Sequence, residues 1–422
     1  MPVTLGDFVR CLPAVCAADP LSRSLRRAGA LVPTYRTLSY YSFSSGKDPV
    51  RTSTVNAEGV CRNIAKATEQ YESWLATYTT IVQKDLNRKH EAMTQSPFAF
   101  LRATFYRWAQ RWPKVCPDLA AAPPVLGVGD LHVENFGTWR DSEGRLIWGV
   151  NDFDEASTIA YTNDLTRLAT SAHLACQEKQ LRVALGDACE AILEGYARHL
   201  ERKGEPFVLD DRHVKLRAMA QSDLRAPGPF WEKLHGLPTL KKGIPASAIE
   251  ALEPMLPEVG LRYRVAHRVA GLGSLGHERY VALAEWRGGH VAREAKALVP
   301  SACLWAGQVN GPVEILYQAI TNRAVRCPDP TLQVQGQWIV RRLAPDCSAI
   351  ELASLPTKRD ELHLLTAMGA ESANVHLGSP DALAAVRRDL KSRKPTWLRV
   401  AAEAMAGTLL RDWEAWIWAI AA

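Results

Sequence analysis

An α+β, helix-rich fold in two lobes is what the sequence predicts, on three observations. Long runs with apolar residues at helical spacing fill both ends of the chain. Between them, residues 261–350 return to short strand-like runs punctuated by glycine and proline. At 422 residues, with 47% hydrophobic and 23% charged side chains, the chain is long and apolar enough to bury a large core.

The elements follow in order. Residues 1–55 read as a mixed leader; its Gly46-Lys47 pair lacks the upstream glycine and the following Ser or Thr of a phosphate loop. Residues 56–202 form a helical region that carries two polar loops. Ile64, Tyr71, Trp74, Leu75 and Tyr78 stand at helix spacings. Ser96 caps a second helix with Pro97 in its first turn and Phe98, Leu101, Phe105 and Trp108 along one face. A buried strand over 125–128 delivers the first loop. Strands over 136–140 and 145–150 flank the turn Asp141-Ser142-Glu143-Gly144 and return the chain to the second. Another helical region runs from Asp164 to about Arg202. Residues 203–260, richer in Pro and Gly, are a connection or insertion. Residues 261–350 form a β-rich lobe with strands over 263–270, 279–285, 291–297 and 338–343. Helices over 351–422 close the chain, through Trp397, Trp413, Trp416 and Trp418.

Composition narrows the function classes. The formal charge of +6, from 51 Lys and Arg against 45 Asp and Glu, is mild and spread out. It argues against a nucleic-acid partner and suits an anionic substrate. Cys11 and Cys16 are five apart, and Cys61, Cys116, Cys176, Cys189, Cys303, Cys327 and Cys347 are scattered without a Cys-x-x-Cys. That spacing indicates neither a zinc site nor a disulfide framework, so buried thiols in a reducing compartment are expected. No 18-residue apolar run suggests a membrane span, and a soluble, cytoplasmic protein is expected.

The first polar loop is Gly129-Asp130-Leu131-His132-Val133-Glu134-Asn135; the second is Asn151-Asp152-Phe153-Asp154-Glu155. An Asp, an Asn five residues on, and an Asp after a hairpin is the spacing with which protein kinases place a catalytic base and their magnesium ligands. Asp130 is then the catalytic residue that orients the acceptor hydroxyl. Asn135 and Asp152 are metal ligands, and Asp154 is a third. Solvated turn residues are the plain alternative. Phe136, Trp148, Val150 and Phe153 speak against it, because such neighbours want burial. His132 is expected to brace the loop, Asp164 to cap its helix and anchor the loop, and Arg102 to pair with a loop carboxylate.

The β-rich lobe holds a second constellation. Gly271, Gly273, Ser274 and Gly276 lie between two strands, and Lys296 follows about twenty residues on, in the next strand. Glycines let a backbone close over phosphate oxygens, and a lysine neutralises their charge, so these five are the expected nucleotide-binding residues. Kinases place this pattern before the catalytic loop; here it comes after. A circularly permuted, protein-kinase-like fold reconciles the order: the catalytic-lobe elements come first, the glycine-loop lobe second, and the helix over 360–376 leads into the catalytic loop.

The segments Ser96 to Arg102, Gly129 to Gly137, Asn151 to Glu155 and Gly271 to Gly276, with Lys296, resemble the bacterial domain-of-unknown-function 2252 family over residues 85 onward. That family is grouped with the protein-kinase-like superfamily, near aminoglycoside and choline kinases. The resemblance implies a kinase-like fold and, by analogy, ATP-dependent phosphoryl transfer. Two positions depart from the family pattern, Ala297 and Arg342, where acids are expected. This leaves Glu294 and Glu314 as alternatives for the acidic partner of Lys296. The expected activity is an ATP- and magnesium-dependent phosphotransferase whose partners are a nucleotide and a hydroxyl acceptor, small molecule or protein. A nucleotide-binding regulator without turnover, and a metal-dependent phosphoesterase using Asp130, His132, Asp152 and Asp154, are the alternatives.

Overall fold

Two antiparallel strands, β1 (Pro124–Gly127) and β4 (Ser157–Ala160), frame the region where the polar loops lie, with Val125 opposite Ile159 and Gly127 opposite Ser157. The computed structural model describes residues 57–220, 226–308, 313–347, 349–350, 352 and 360–421. These belong to one unit, Val55–Ala422. The expected leader over 1–55, with Gly46-Lys47, Cys11 and Cys16, lies outside the described residues.

Between β1 and β4 comes a hairpin, β2 (Phe136–Arg140) and β3 (Leu146–Val150), in the register Phe136 to Val150 and Arg140 to Leu146. Its turn is fixed locally. The Asp141 carboxylate accepts the amides of Glu143 and Arg145 at 3.1 and 2.9 Å. Gly144 takes a positive φ of 76° that a side chain would resist. The rings of Phe136 and Trp148 stack 5.1 Å apart on the buried face. A short strand, β5 (Phe207–Val208), adds to β3.

The second sheet has five antiparallel strands: β6 (Tyr263–His267), β7 (Arg279–Trp286), β8 (Gly289–Ala297), β9 (Gln333–Gln335) and β10 (Trp338–Arg342), in the order β6-β7-β8-β10-β9. Arg287 and Gly288, with φ of 48° and 81°, make the two-residue turn between β7 and β8. The strand expected over 263–270 ends at His267, where the chain leaves the sheet for the glycine-rich loop.

The α+β class holds, and helix dominates the remainder. The run expected as one helix from Ser96 breaks at Thr104, giving helices Pro97–Ala103 and Phe105–Val115. Thr104 leaves helical geometry as its hydroxyl bonds back to the Phe100 carbonyl at 2.6 Å. Ser96 does cap the first of these, accepting the Ala99 amide at 3.2 Å. The region from Asp164 to Arg202 is two helices, Tyr161–Gln177 and Leu185–Arg202, parted where Lys179 adopts φ 60°. Residues 203–260, expected to be irregular, contain helices Val214–Ala220, Pro227–His235 and Ala246–Leu252, all too short for periodicity to reveal.

Helix Glu361–His376 lies directly on helix Leu185–Arg202. A side chain at Gly195 would run into the Thr366 carbonyl, and one at Gly369 into the Ile192 carbonyl, so glycine permits the contact from both sides. This places His376 beneath β1, against the buried helix Tyr161–Gln177. None of the described helices is long and apolar enough to cross a membrane. Cys116, Cys176, Cys189, Cys303, Cys327 and Cys347 are free thiols.

Candidate active site

After β1 the chain turns at Gly129, whose φ is 78° and whose absent side chain would strike the Glu155 carbonyl. The turn is held from below by Asp164. Its two carboxylate oxygens accept the amides of Val128 at 2.7 Å and Gly129 at 3.0 Å. His376 Nε2 donates to the same carboxylate at 3.1 Å, and its Nδ1 accepts the Tyr196 hydroxyl at 3.0 Å. Asp164 and His376 have no exposed surface. Asp164 therefore anchors the loop, as expected. It does not cap its helix, whose N-cap is Ala160 and has no side-chain cap bond.

Asp130 lies at the head of this loop. Arg167, fully buried on the same helix as Asp164, donates its Nε to Asp130 Oδ1 at 2.8 Å and reaches that oxygen with Nη2 as well. Its guanidinium sits 5.0 Å from the ring centroids of both Phe105 and Trp108, and Nη2 also bonds the Leu101 carbonyl at 2.8 Å. Burial raises the Asp130 carboxyl above its ordinary value against the opposing pull of Arg167. Oδ1 is thus fixed. Oδ2 lies toward the glycine-rich loop, 3.5 Å from where a Gly273 side chain would begin.

Asn135 joins the two loops. Its Nδ2 donates to the carbonyls of Asp130 and Asp152, and its Oδ1 accepts the Asp152 amide, each at 3.0 Å. Two carbonyls and one amide settle which end of the side chain is oxygen. The spacing that marks Asn135 as a metal ligand thus also makes it a bracket that sets the distance between the loops. His132 Nδ1 accepts the Glu134 amide at 3.2 Å. Burial, then Arg102 and Arg167, hold the ring well below its ordinary pKa, so it is neutral and structural. Arg102 pairs with Glu134.

Lys296, on β8, places its amine 2.9 Å from Asp152 Oδ2 and 2.5 Å from Asp154 Oδ2. Burial opposes ionisation of both acids. Lys296 nevertheless holds Asp152 below the ordinary carboxylate range, while burial and the Asp152 charge raise Asp154. Asp154 Oδ1 is buried and has no hydrogen-bond partner. Neither Glu294 nor Glu314 meets Lys296. Glu314 is exposed. Glu294, on the same strand, is fully buried and pairs with Arg268, Arg279 and Arg341.

Between β6 and β7, the loop with Gly271, Gly273, Ser274 and Gly276 passes over this group. Gly271 and Gly276 take φ of 73° and 100°. Helix Gln83–Gln95 ties the loop down: Lys89 Nζ donates to the Gly273 carbonyl at 2.7 Å, and the Val82 amide before it donates to the Gly276 carbonyl at 2.8 Å. Glu155 closes the floor. Its Oε2 accepts the Ala302 amide at 2.7 Å, and burial raises its carboxyl to about 8. A cleft of about 590 Å³ is lined by Asp130, Asp152, Asp154 and the glycine-rich loop together, a size that suits a small-molecule ligand.

Arg167, Lys89 and the arginines around Glu294 are the site residues that sequence reasoning missed. Lys89 carried a signal: it stands in the buried register Leu86, Lys89, Met93 of its helix, where an apolar residue belongs. Arg167 is likewise a lone cation between Leu165 and Leu168 in an otherwise apolar helix. Among the described residues, no three His, Cys, Asp or Glu side chains converge as a metal cage.

A family model described as an uncharacterized protein conserved in bacteria (DUF2252) matches residues 81–225. That stretch includes Asp130, Asn135, Asp152, Asp154 and Arg167; the glycine-rich loop and Lys296 fall beyond it. No curated protein and no solved structure matches the chain.

Proposed function

We propose that the chain, similar to that bacterial family over residues 81–225, is an ATP- and magnesium-dependent phosphotransferase with a circularly permuted, kinase-like arrangement, acting on a hydroxyl acceptor. One observation carries the reading. The Lys296 amine lies between Asp152 and Asp154, 144 and 142 residues earlier in the chain, under a glycine-rich loop that passes Asp130. Kinases bring together a glycine-rich loop, a lysine on the third strand, and acids for base and metal. Here the glycine-rich loop joins the first two strands of the five-stranded sheet, and the lysine is on the third.

The residues suit a divalent cation. Asp154 Oδ1 is an orphaned, buried oxygen beside Asp152, and magnesium takes one or two carboxylates with its other positions left to water and phosphate. Asp152 and Asp154 would hold it, with Asn135 fixing Asp152 in place. When bound, the ion neutralises the charge of the nucleotide phosphates.

Asp130 orients the acceptor hydroxyl through Oδ2 and takes its proton late. Arg167 keeps the other oxygen fixed, so the carboxylate cannot rotate away. Phosphoryl transfer depends mostly on positioning, and a strongly basic carboxylate is not needed. The test is calorimetry with ATP and magnesium, followed by single-turnover assays over an acceptor panel. Asp130→Ala is expected to abolish transfer with ATP affinity nearly unchanged, and Asp152→Ala to lose metal-dependent nucleotide binding. Lys296→Ala is expected to weaken nucleotide binding without unfolding the chain.

A second reading, a nucleotide-binding regulator without turnover, is favoured by the Arg167 clamp on Asp130, which takes base strength from that carboxylate. Tight ATP and magnesium binding with no transfer to any acceptor, and no water-driven ATP consumption, would select it.

A further inference from the structure

Lys296 is already engaged by two carboxylates, so it brings little uncompensated charge to a bound phosphate. The next row of the same sheet face has the opposite balance. Glu294 lies two residues before Lys296 on β8, directly across from Arg341 on β10. Its Oε1 accepts Arg279 Nη1 at 3.1 Å and Arg341 Nε at 3.0 Å, and its Oε2 pairs with Arg268. One carboxylate among three guanidiniums leaves two positive charges unbalanced. The nearest other acids, Asp152 and Asp154, belong to Lys296.

These cations face the ligand space. Arg268, Arg279 and Arg341 all line the cleft, and the side chains of Arg268 and Arg341 keep 24% and 18% of their surface exposed. Arg279 lies under the glycine-rich loop: its Nη2 donates to Ser274 Oγ at 2.6 Å and fills the space 3.2 Å from where a Gly271 side chain would begin. Burying like charges together is costly unless an anion completes the group. Planar guanidiniums offer paired N–H donors that match phosphate oxygens.

We propose that Arg268, Arg279 and Arg341, gathered on the single carboxylate of Glu294 beneath the glycine-rich loop, form a phosphate subsite of the cleft. The subsite rests on the phosphotransferase reading and shifts phosphate recognition from Lys296 to the arginines. Its ligand is a phosphate group, either of the nucleotide or of a phosphorylated acceptor.

The probe is inorganic tripolyphosphate, titrated into the full chain by calorimetry. Arg268→Gln is the first variant, because Glu294 keeps two guanidinium partners; Arg341→Gln is the second, and thermal melting checks that each is folded. Each is expected to weaken tripolyphosphate binding roughly tenfold or more, the loss of one charge-assisted hydrogen-bonded contact. Arg268→Lys, which keeps the charge and loses the fork, should fall between. Competition between tripolyphosphate and ATP assigns the subsite to the nucleotide; simultaneous binding assigns it to a phosphorylated acceptor. Folded Arg268→Gln and Arg341→Gln chains that bind tripolyphosphate as the wild type does overturn the subsite. So does a wild type that binds ATP with magnesium but not tripolyphosphate, which leaves the phosphotransferase reading standing. A wild type that binds neither removes both.

Discussion

The two walls of the cleft are built on different principles. On the helical wall, Asp130, Asp164 and Asn135 are each fastened by bonds to backbone groups or to one buried partner, and little charge is left over. On the sheet wall, Glu294, Arg279, Arg341 and Lys296 are cross-strand neighbours, and positive charge exceeds negative. The first wall fixes positions and the second supplies field. Phosphoryl transfer needs both, and separating them lets each be tuned without disturbing the other.

If the helical wall works by individual fastening, removing one partner should cost most there. Arg167→Met leaves Asp130 without its buried cation and is expected to lower unfolding stability by about 3 kcal/mol in urea titrations. The double variant with Asp130→Asn should recover part of that loss. A single variant as stable as the wild type would break the comparison at its strongest point. Asn135→Ala strands two backbone carbonyls and one amide; about 2 kcal/mol is expected, measured the same way, together with loss of metal-dependent ATP binding.

Glu155 gives a pH signature on the same wall. Its carboxyl is raised from 4.5 to about 8, so the folded chain holds a proton there that the unfolded chain releases. Between these values the unfolded state binds fewer protons, and this group's contribution to stability falls as pH rises, levelling above about 8. Glu155→Gln, whose amide oxygen can still accept the Ala302 amide, should flatten thermal melting temperatures between pH 5 and 8. An unchanged slope would show that Glu155 ionises freely.

The smallest effect belongs to the sheet wall. Arg342 faces away from Glu294, in cross-strand register with Arg293, and does not line the cleft. Arg342→Glu, which restores the acid expected there, should change stability by no more than about 0.5 kcal/mol and leave ATP affinity as it is. A large loss of affinity would extend the phosphate field beyond the row of Glu294.

The same contrast explains what could be read from the sequence. Asp130, Asn135 and Asp152 were legible because a hairpin of known turn chemistry brings them together, and spacing alone reports it. The Ser96 cap and the strands around Gly271–Gly276 were legible for the same local reason. Glu294 was visible as an acid near Lys296, but its real partners are set by strand register: Arg341 sits opposite it only because β10 pairs with β8 as it does. Arg167 reaches Asp130 across a helix–loop contact that no linear pattern encodes. The helix break at Thr104 was hidden because Phe105 and Trp108 continue the apolar spacing through it.

The tie between His376 and Asp164 spans 212 residues. A ribosome adding about 5–20 residues per second needs roughly 10–40 s to travel that distance. Throughout that interval the nascent chain carries Asp130, Asn135 and Asp152 but not the histidine that steadies the loop's anchor, and for much of it not Lys296. The protein is therefore expected to be without its site until synthesis is nearly done. A chain stopped after Asp360 should keep all three carboxylate-side residues, Lys296 and the arginines, and still bind ATP poorly in calorimetry. Full affinity in such a chain would mean that the late histidine is dispensable. The order of the chain thus acts as a clock: ATP is engaged only by finished molecules.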